Sequence, residues 1–290
     1  MPNTSAERRF SLIIVGDEIL SGRRQDKHMS KVVELLSARG LALSQVTFLA
    51  DDRDRLTDGL KRSFASGDIV FCCGGIGATP DDHTRQAAAA ALGRPLVLHP
   101  DAEVAITERC LRLAEEGKGV ADMSTPENRQ RLQMGVFPQG CEIVPNTYNQ
   151  IPGFFIQDHT FVPGFPVMAW PMIETMLDTR YRDRHHQTSW IEHSFLVYRL
   201  PESRITPAME ALERDFPGVR AFSLPSVGED GARPHIELGV KGAPEAAAAA
   251  LQFLREAAER VGGIFQPDAM PVADSPAVAG ASGRSGEVRP

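Results

Sequence analysis

The chain has 290 residues, 42% of them apolar, and a formal net charge of -7 at pH 7. That length accommodates one large domain and one small one, each with a real core, and the acidic balance argues against broad electrostatic binding to duplex nucleic acid. Four cysteines without a C-x-x-C pair or zinc-type Cys/His spacing, and an early apolar run that breaks at Asp17 and Glu18, point to a reduced, cytoplasmic protein with no membrane span.

Residues 1–9 are polar and expected to be disordered. Phe10 to Val15 reads as a buried strand; Met29, Val32, Val33 and Leu36 then recur as one helical face, with Asp26 placed to cap it and Gly40 to stop it. Leu41 to Leu49 is a second strand, Leu56, Leu60 and Phe64 mark a second helix ended by Gly67, and Asp68 to Cys72 is a third strand. This βαβαβ order calls for crossover connections, hence a mostly parallel sheet with helices on both faces.

Past that strand, Thr84 to Leu92 carries an alanine-rich helix, and Leu96 to Leu98 can add a short strand. Helices near Asp101 to Glu116 and Pro126 to Met134 follow, then a tight hairpin of Phe154 to Gln157 and Thr160 to Val162. A helix through Met172 and Met176 closes a domain spanning 10–182. The basic run Arg180, Arg182, Arg184, His185 and His186 reads as a solvated linker. Residues 188–265 form a compact βαββα unit, an α+β or KH-like module. It has no obvious G-x-x-G loop, so docking is favoured there over RNA binding. Residues 266–290 are small, Pro- and Gly-rich and expected to be disordered.

The stretch Cys73-Gly74-Gly75-Ile76-Gly77-Ala78-Thr79-Pro80-Asp81-Asp82-His83-Thr84 is the most informative in the chain. Its glycines let backbone N–H groups approach a ligand that any Cβ would hold away, and a helix start behind such a loop favours an anion, with phosphate the default. The plainer account is a helix cap, with Thr79 as the capping hydroxyl, Pro80 at the first helical position and Asp82 three residues after the cap. A cap alone needs none of Gly74, Gly75 and Gly77.

Ligands of open parallel sheets bind beyond the carboxyl ends of the strands. The turn Gly16-Asp17-Glu18-Ile19-Leu20-Ser21-Gly22 after the first strand should therefore face the glycine loop. Asp17, Glu18, Asp81 and Asp82 would supply hard oxygen ligands for Mg²⁺ or another divalent cation bridging to a phosphate, and Asp52 could join them. A solvated turn remains the alternative for Asp17 and Glu18. His83 and His99 read as surface or satisfied residues. The absence of G-x-S-x-G, of G-x-G-x-x-G after the first strand and of a Walker lysine lowers hydrolase, dinucleotide and P-loop readings.

The two segments Gly16-Asp17-Glu18-Ile19-Leu20-x-Gly22 and Gly74-Gly75-x-Gly77-x-Thr79-x-Asp81-Asp82-x-Thr84 resemble the molybdopterin-binding (MoaB/MogA-like) domain family of molybdenum cofactor biosynthesis. The resemblance is strongest to the N-terminal part of its CinA-type members, with weaker echoes at Asn128, Pro145-Asn146, Pro152-Gly153 and Pro163-Gly164-x-Pro166. It implies a three-layer α/β domain, a pocket for a phosphorylated pterin such as molybdopterin or for a nucleotide, and a homo-oligomer. It extends the ligand-contacting set beyond Gly74, Gly75, Gly77 and Thr79 to Gly16, Thr84, Pro163 and Gly164. It also implies metal-dependent cleavage of a pyrophosphate of the ADP-ribose or FAD type, for which Asp82, Asp81 and Asp52 are the catalytic candidates. A non-catalytic ligand carrier or sensor whose second domain docks a partner is the rival.

The chain departs from the family pattern at Asp26-Lys27-His28, at Asn149-Gln150-Ile151 and at Ala78. It is also expected to lack the amidohydrolase domain that follows in CinA-type proteins, and with it nicotinamide mononucleotide deamidation.

Overall fold

The computed structural model describes residues 8–187, 191–228 and 233–265. The expected disorder of residues 1–7 and of the tail 266–290 lies outside them. The chain divides into two compact units, residues 1–187 and 188–290.

The first unit is built on a six-stranded sheet of order β2-β1-β3-β8-β7-β6. Its strands are β1 (Phe10–Val15), β2 (Leu43–Leu49), β3 (Ile69–Cys73), β6 (Glu142–Val144), β7 (Gly153–Ile156) and β8 (His159–Val162). Strands β2, β1, β3 and β8 run parallel, and β7 lies antiparallel to both β8 and β6. Strands β1 and β3 are buried at every position, as expected of central strands covered on both faces. The β7–β8 hairpin turns at Gln157 and Asp158, both with positive φ (48° and 57°), the primed turn that matches strand twist.

Two helical layers complete the unit. Helices α2 (His28–Ser37) and α7 (Pro166–Thr179) cover one face, where Leu12, Ile14, Leu36, Phe71 and Met172 form one core. The other face packs Ile13, Leu56, Leu60, Ala88, Phe137 and Phe161, with α3 (Arg53–Ser66), α4 (Thr84–Leu92) and α5 (Pro100–Glu115) contributing. A one-turn α1 (Asp17–Leu20) follows β1, and α6 (Pro126–Leu132) precedes β5 (Val136–Pro138). Strand β4 (Leu96–Leu98) does not extend the main sheet; it pairs antiparallel with β5 in a separate ribbon. Among the described residues no helix is long and apolar enough to cross a membrane.

Three local expectations are corrected. Helix α2 buries His28, Val32, Leu35 and Leu36, whereas Met29 and Val33 are exposed, because the packing stripe lies one residue round the helix from the one the apolar pattern suggests. Its first turn is capped as expected, Asp26 accepting from the His28 and Met29 amides at 2.9 and 3.0 Å. The basic run does not float free: the Arg180 guanidinium lies 3.8 Å from the Phe155 ring centroid and forks onto Glu142, while His185 binds the Leu177 carbonyl. Residues 8 and 9 are likewise tied down, since Arg8 pairs with Asp158 and the Arg9 carbonyl accepts from Ile69.

The second unit has the order β9 (Ile191–Tyr198), α8 (Glu202–Asp215), β10 (Arg220–Ser226), β11 (His235–Gly242) and α9 (Pro244–Arg260). Its three strands form an antiparallel sheet of order β10-β11-β9. The alternate positions Val197, Leu238 and Val240 meet Ile205, Leu212 and Leu254 of the helices in one core.

Candidate functional site

A cavity of about 490 Å³ opens beyond the carboxyl ends of β1 and β3, within the range that holds small-molecule ligands. The turns after those two strands both line it, as the parallel topology requires. Of the residues singled out from sequence, Gly16, Glu18, Gly74, Gly75, Gly77, Thr79, Asp81, Asp82, Pro163 and Gly164 lie on its wall; Asp17, Asp52 and Thr84 do not.

The glycine loop is held in a shape that side chains would prevent. Gly74 sits at φ 110°, and a Cβ there would fall 2.3 Å from the Val15 carbonyl oxygen; Gly75 sits at φ 66° against Thr84 Oγ1. A Cβ on Gly77 would meet the Asp82 carboxylate at 2.4 Å. Thr84 is fully buried and its hydroxyl donates to the Gly74 carbonyl at 3.0 Å, so it supports the loop from beneath. Gly164 approaches so closely that its added Cβ would stand 3.4 Å from Gly74 Cα.

The helix behind the loop begins later than expected. Thr79 does not cap α4; Thr79 to Asp82 close a separate turn, with the Asp82 amide donating to the Thr79 carbonyl at 3.0 Å. The Asp82 carboxylate in return accepts from the Thr79 amide at 2.9 Å and from its hydroxyl at 2.5 Å. The capping chemistry is real but belongs to this turn, and it consumes one Asp82 oxygen. Helix α4 starts at Thr84.

The acids divide by role. Asp52 caps α3, accepting from the Arg55 amide at 2.8 Å, which ties its carboxylate to that helix and off the cavity wall. Its neighbour Asp51 lines the cavity instead. Asp17 and Asp51 clasp each other: the Asp17 amide donates to Asp51 Oδ2 at 2.8 Å and the Asp51 amide to Asp17 Oδ1 at 3.2 Å. Burial pushes the Asp51 carboxyl above its ordinary range, and the charges of Asp17, Glu18 and Asp81 push it further against the pull of the Asp17 amide. Carboxylates therefore do converge from separate loops. Among the described residues, however, no three His, Cys, Asp or Glu side chains form a ready-made metal cage.

Several wall and supporting residues escaped the sequence reading. Arg85 is buried, and its guanidinium bonds the carbonyls of Gly77 (2.5 Å), Val136 (3.2 Å) and Gln133. Gln130 holds the Ala78 carbonyl at 2.5 Å. Together they lash the glycine loop to the α6–β5 segment. His28 binds the Gly164 carbonyl at 3.1 Å, fixing the opposing turn. Met134, Ile151, Phe165 and Met168 give the cavity an apolar portion, and Arg24 is the cation on its wall. No local signal marks Arg85 within its alanine-rich helix; Asp51 stands one place before the acid the strand end suggested.

Residues 11–183 match the family described as a probable molybdopterin binding domain. A CinA-like protein of Anaeromyxobacter sp. (strain Fw109-5) is 29% identical over 208 residues, 70% of this chain and 48% of that protein. A protein of Thermococcus kodakarensis is 31% identical over 225 residues, covering 74% of this chain and 84% of its own length. The crystal structure of the protein CinA, of unknown function, from Thermoplasma acidophilum aligns with TM-score 0.50 at 25% identity, covering 59% of this chain and 98% of that one. The chain spans about half the length of the CinA-like relatives it matches. With a glycine loop and an acid-rimmed cavity at the ends of parallel strands, and with a family match over most of the first unit, this chain belongs to the molybdopterin-binding domain family.

Proposed function

We propose that the cavity binds a phosphorylated pterin of the molybdopterin class or a similar nucleotide, with the Gly74–Thr79 amides receiving a phosphate and Met134, Ile151, Phe165 and Met168 covering the flat ring. The observation that carries this reading is the loop itself: Gly74 and Gly75 at positive φ, closed off from side chains by Val15 and Thr84, and Gly77 closed off by Asp82, face a cavity large enough for such a ligand. Burial, Asp17, Glu18 and Asp81 all disfavour the Asp51 anion, so an added phosphate calls for a compensating cation. The donors are hard oxygens, which suit Mg²⁺ completing its shell with phosphate oxygens and water rather than with protein alone. Glu18, Asp51 and Asp81 are the residues that would hold it. When bound, such a cation neutralises phosphate charge and polarises a phosphoryl oxygen.

Pyrophosphate hydrolysis is the reaction this arrangement serves. The oxygen of a water molecule bonds to one phosphorus, the bridging P–O bond breaks with its electron pair leaving on the second phosphate, and a wall carboxylate orients the water and takes the proton it releases, passing it on to solvent. Asp81, which lines the cavity, is the acid we assign to that task, since Asp82 shapes the loop and Asp52 caps α3. The carrier reading draws support from the internal bonding of Asp17, Asp51 and Asp82.

Thermal-shift and calorimetric titration with a molybdopterin analogue, ADP-ribose, FAD and AMP, each with Mg²⁺ or Mn²⁺, tests the binding. Stabilisation by at least one member is expected, and none by any would refute the reading. Product from ADP-ribose or FAD that disappears in Asp81→Asn, with binding retained, identifies the hydrolase. Binding with no product identifies the carrier.

A further inference from the structure

The wall of the cavity carries four carboxylates, Glu18, Asp51, Asp81 and Asp82, and Arg24. An arginine in such company would ordinarily form an ion pair. Among the described residues, Arg24 has no salt bridge or side-chain hydrogen bond to any of them, while neighbouring Arg23 has turned to the Ser21 hydroxyl at 3.2 Å. Its backbone is nevertheless fixed: the Arg24 amide donates to the Glu18 carbonyl at 2.9 Å, closing the turn that begins with α1 and passes through Gly22 at φ 72°. A tethered backbone with an uncommitted guanidinium leaves a planar fork of donors at the cavity, the geometry that takes a phosphate through two parallel hydrogen bonds.

The glycine loop and Arg24 come from different turns, one after β3 and one after β1, and they offer different kinds of donor. A ligand with one phosphate satisfies the loop and leaves the guanidinium idle. A diphosphate satisfies both. We propose that Arg24 is the specificity-determining residue of this site and that it selects ligands bearing a diphosphate over the corresponding monophosphates. This rests on the phosphate-binding reading of the glycine loop and narrows it to a substrate class. The carboxylates sharpen the choice, since an anion lacking the Arg24 contact meets their repulsion with less to offset it.

The test compares ADP with AMP, the same base and sugar differing by one phosphate, by calorimetry on the full chain at one fixed Mg²⁺ concentration. The wild-type protein should bind ADP roughly tenfold or more tightly than AMP. In Arg24→Met the two affinities should come within about twofold of each other through loss of ADP binding, with Arg24→Lys between. Arg24 is exposed and unpaired among the described residues, so the unliganded thermal midpoint should not move, and that midpoint verifies folding. A preference for ADP that survives in Arg24→Met overturns the assignment while leaving the loop reading intact. Equal wild-type affinities overturn it in the same way. Binding of neither nucleotide overturns the assignment, and silence across the wider ligand panel then removes the loop reading with it.

Discussion

Replacing Arg85 by methionine isolates what holds the glycine loop in place. Arg85 is 4% exposed, and its guanidinium reaches three carbonyl oxygens, of Gly77, Gln133 and Val136. Two close bonds at about 2 kcal/mol each and the 3.2 Å bond at about 1 come to roughly 5 kcal/mol, since a charged donor is lost and buried acceptors are left unpaired. Removing a buried charge offsets part of that: desolvation lowers the Arg85 pKa, against the raising influence of Asp82, and its relief is worth about 2 kcal/mol. The expected net loss is about 3 kcal/mol, a fall of about 1.5 M in urea midpoint for a slope near 2 kcal/mol/M.

Urea titration in a Trp190→Phe background, followed by the fluorescence of Trp170 on α7, reports the first unit alone. Ligand stabilisation should weaken beyond the loss of stability, because the freed Gly77 carbonyl lets the loop rotate its amides away from the phosphate. A midpoint shift below about 0.3 M would show that the three carbonyls find other partners and that the lashing argument is wrong.

Two further outcomes follow from the same geometry. Gly74→Ala, with φ 110° and a Cβ set 2.3 Å from a backbone oxygen, should destabilise by about 3 kcal/mol or more and abolish ligand stabilisation. Gly67→Ala, at φ 75° in open space, should cost only about 1 kcal/mol; equal effects in the two thermal melts would refute the close-approach account. His159 is buried between the Ser63 hydroxyl and the Gln157 carbonyl, and burial pushes its imidazole down from 6.5 to about 4. The unfolded chain therefore takes up the proton first, and stability should fall as pH drops from about 7 toward 4, by about 3 kcal/mol in all. Urea midpoints across that range should flatten in His159→Gln; an unchanged pH slope would remove His159 as the cause.

The glycine loop was legible because its physics is local. Gly74 and Gly75 adopt positive φ, and that need shows in residue type alone. The apolar runs at Phe10–Val15 and Ile69–Cys73 likewise announce central parallel strands, and their alternation with helices places the site at the strand ends. In the second unit the βαββα order was plain because apolar residues recur at strand and helix periods and Pro201, Pro217-Gly218 and Pro244 punctuate them. The Asp52 assignment failed for an equally local reason: an acid three residues before an amide is already committed as a helix cap, and nothing in the one-dimensional pattern ranks that use against a cavity one residue away.

Composition, apolar periodicity and glycine placement thus determined the architecture and the loop that faces the cavity, since each depends on backbone conformations that neighbouring residues dictate. Only the tertiary structure decided which charges serve the cavity. Arg85 reaches the Gln133 and Val136 carbonyls across a separation of about fifty residues, Asp17 and Asp51 clasp across thirty-four, and Arg24 is distinguished by having no side-chain partner among the described residues. Long side chains have many rotamers and no sequence period, so their targets exist only once the sheet has brought distant turns together.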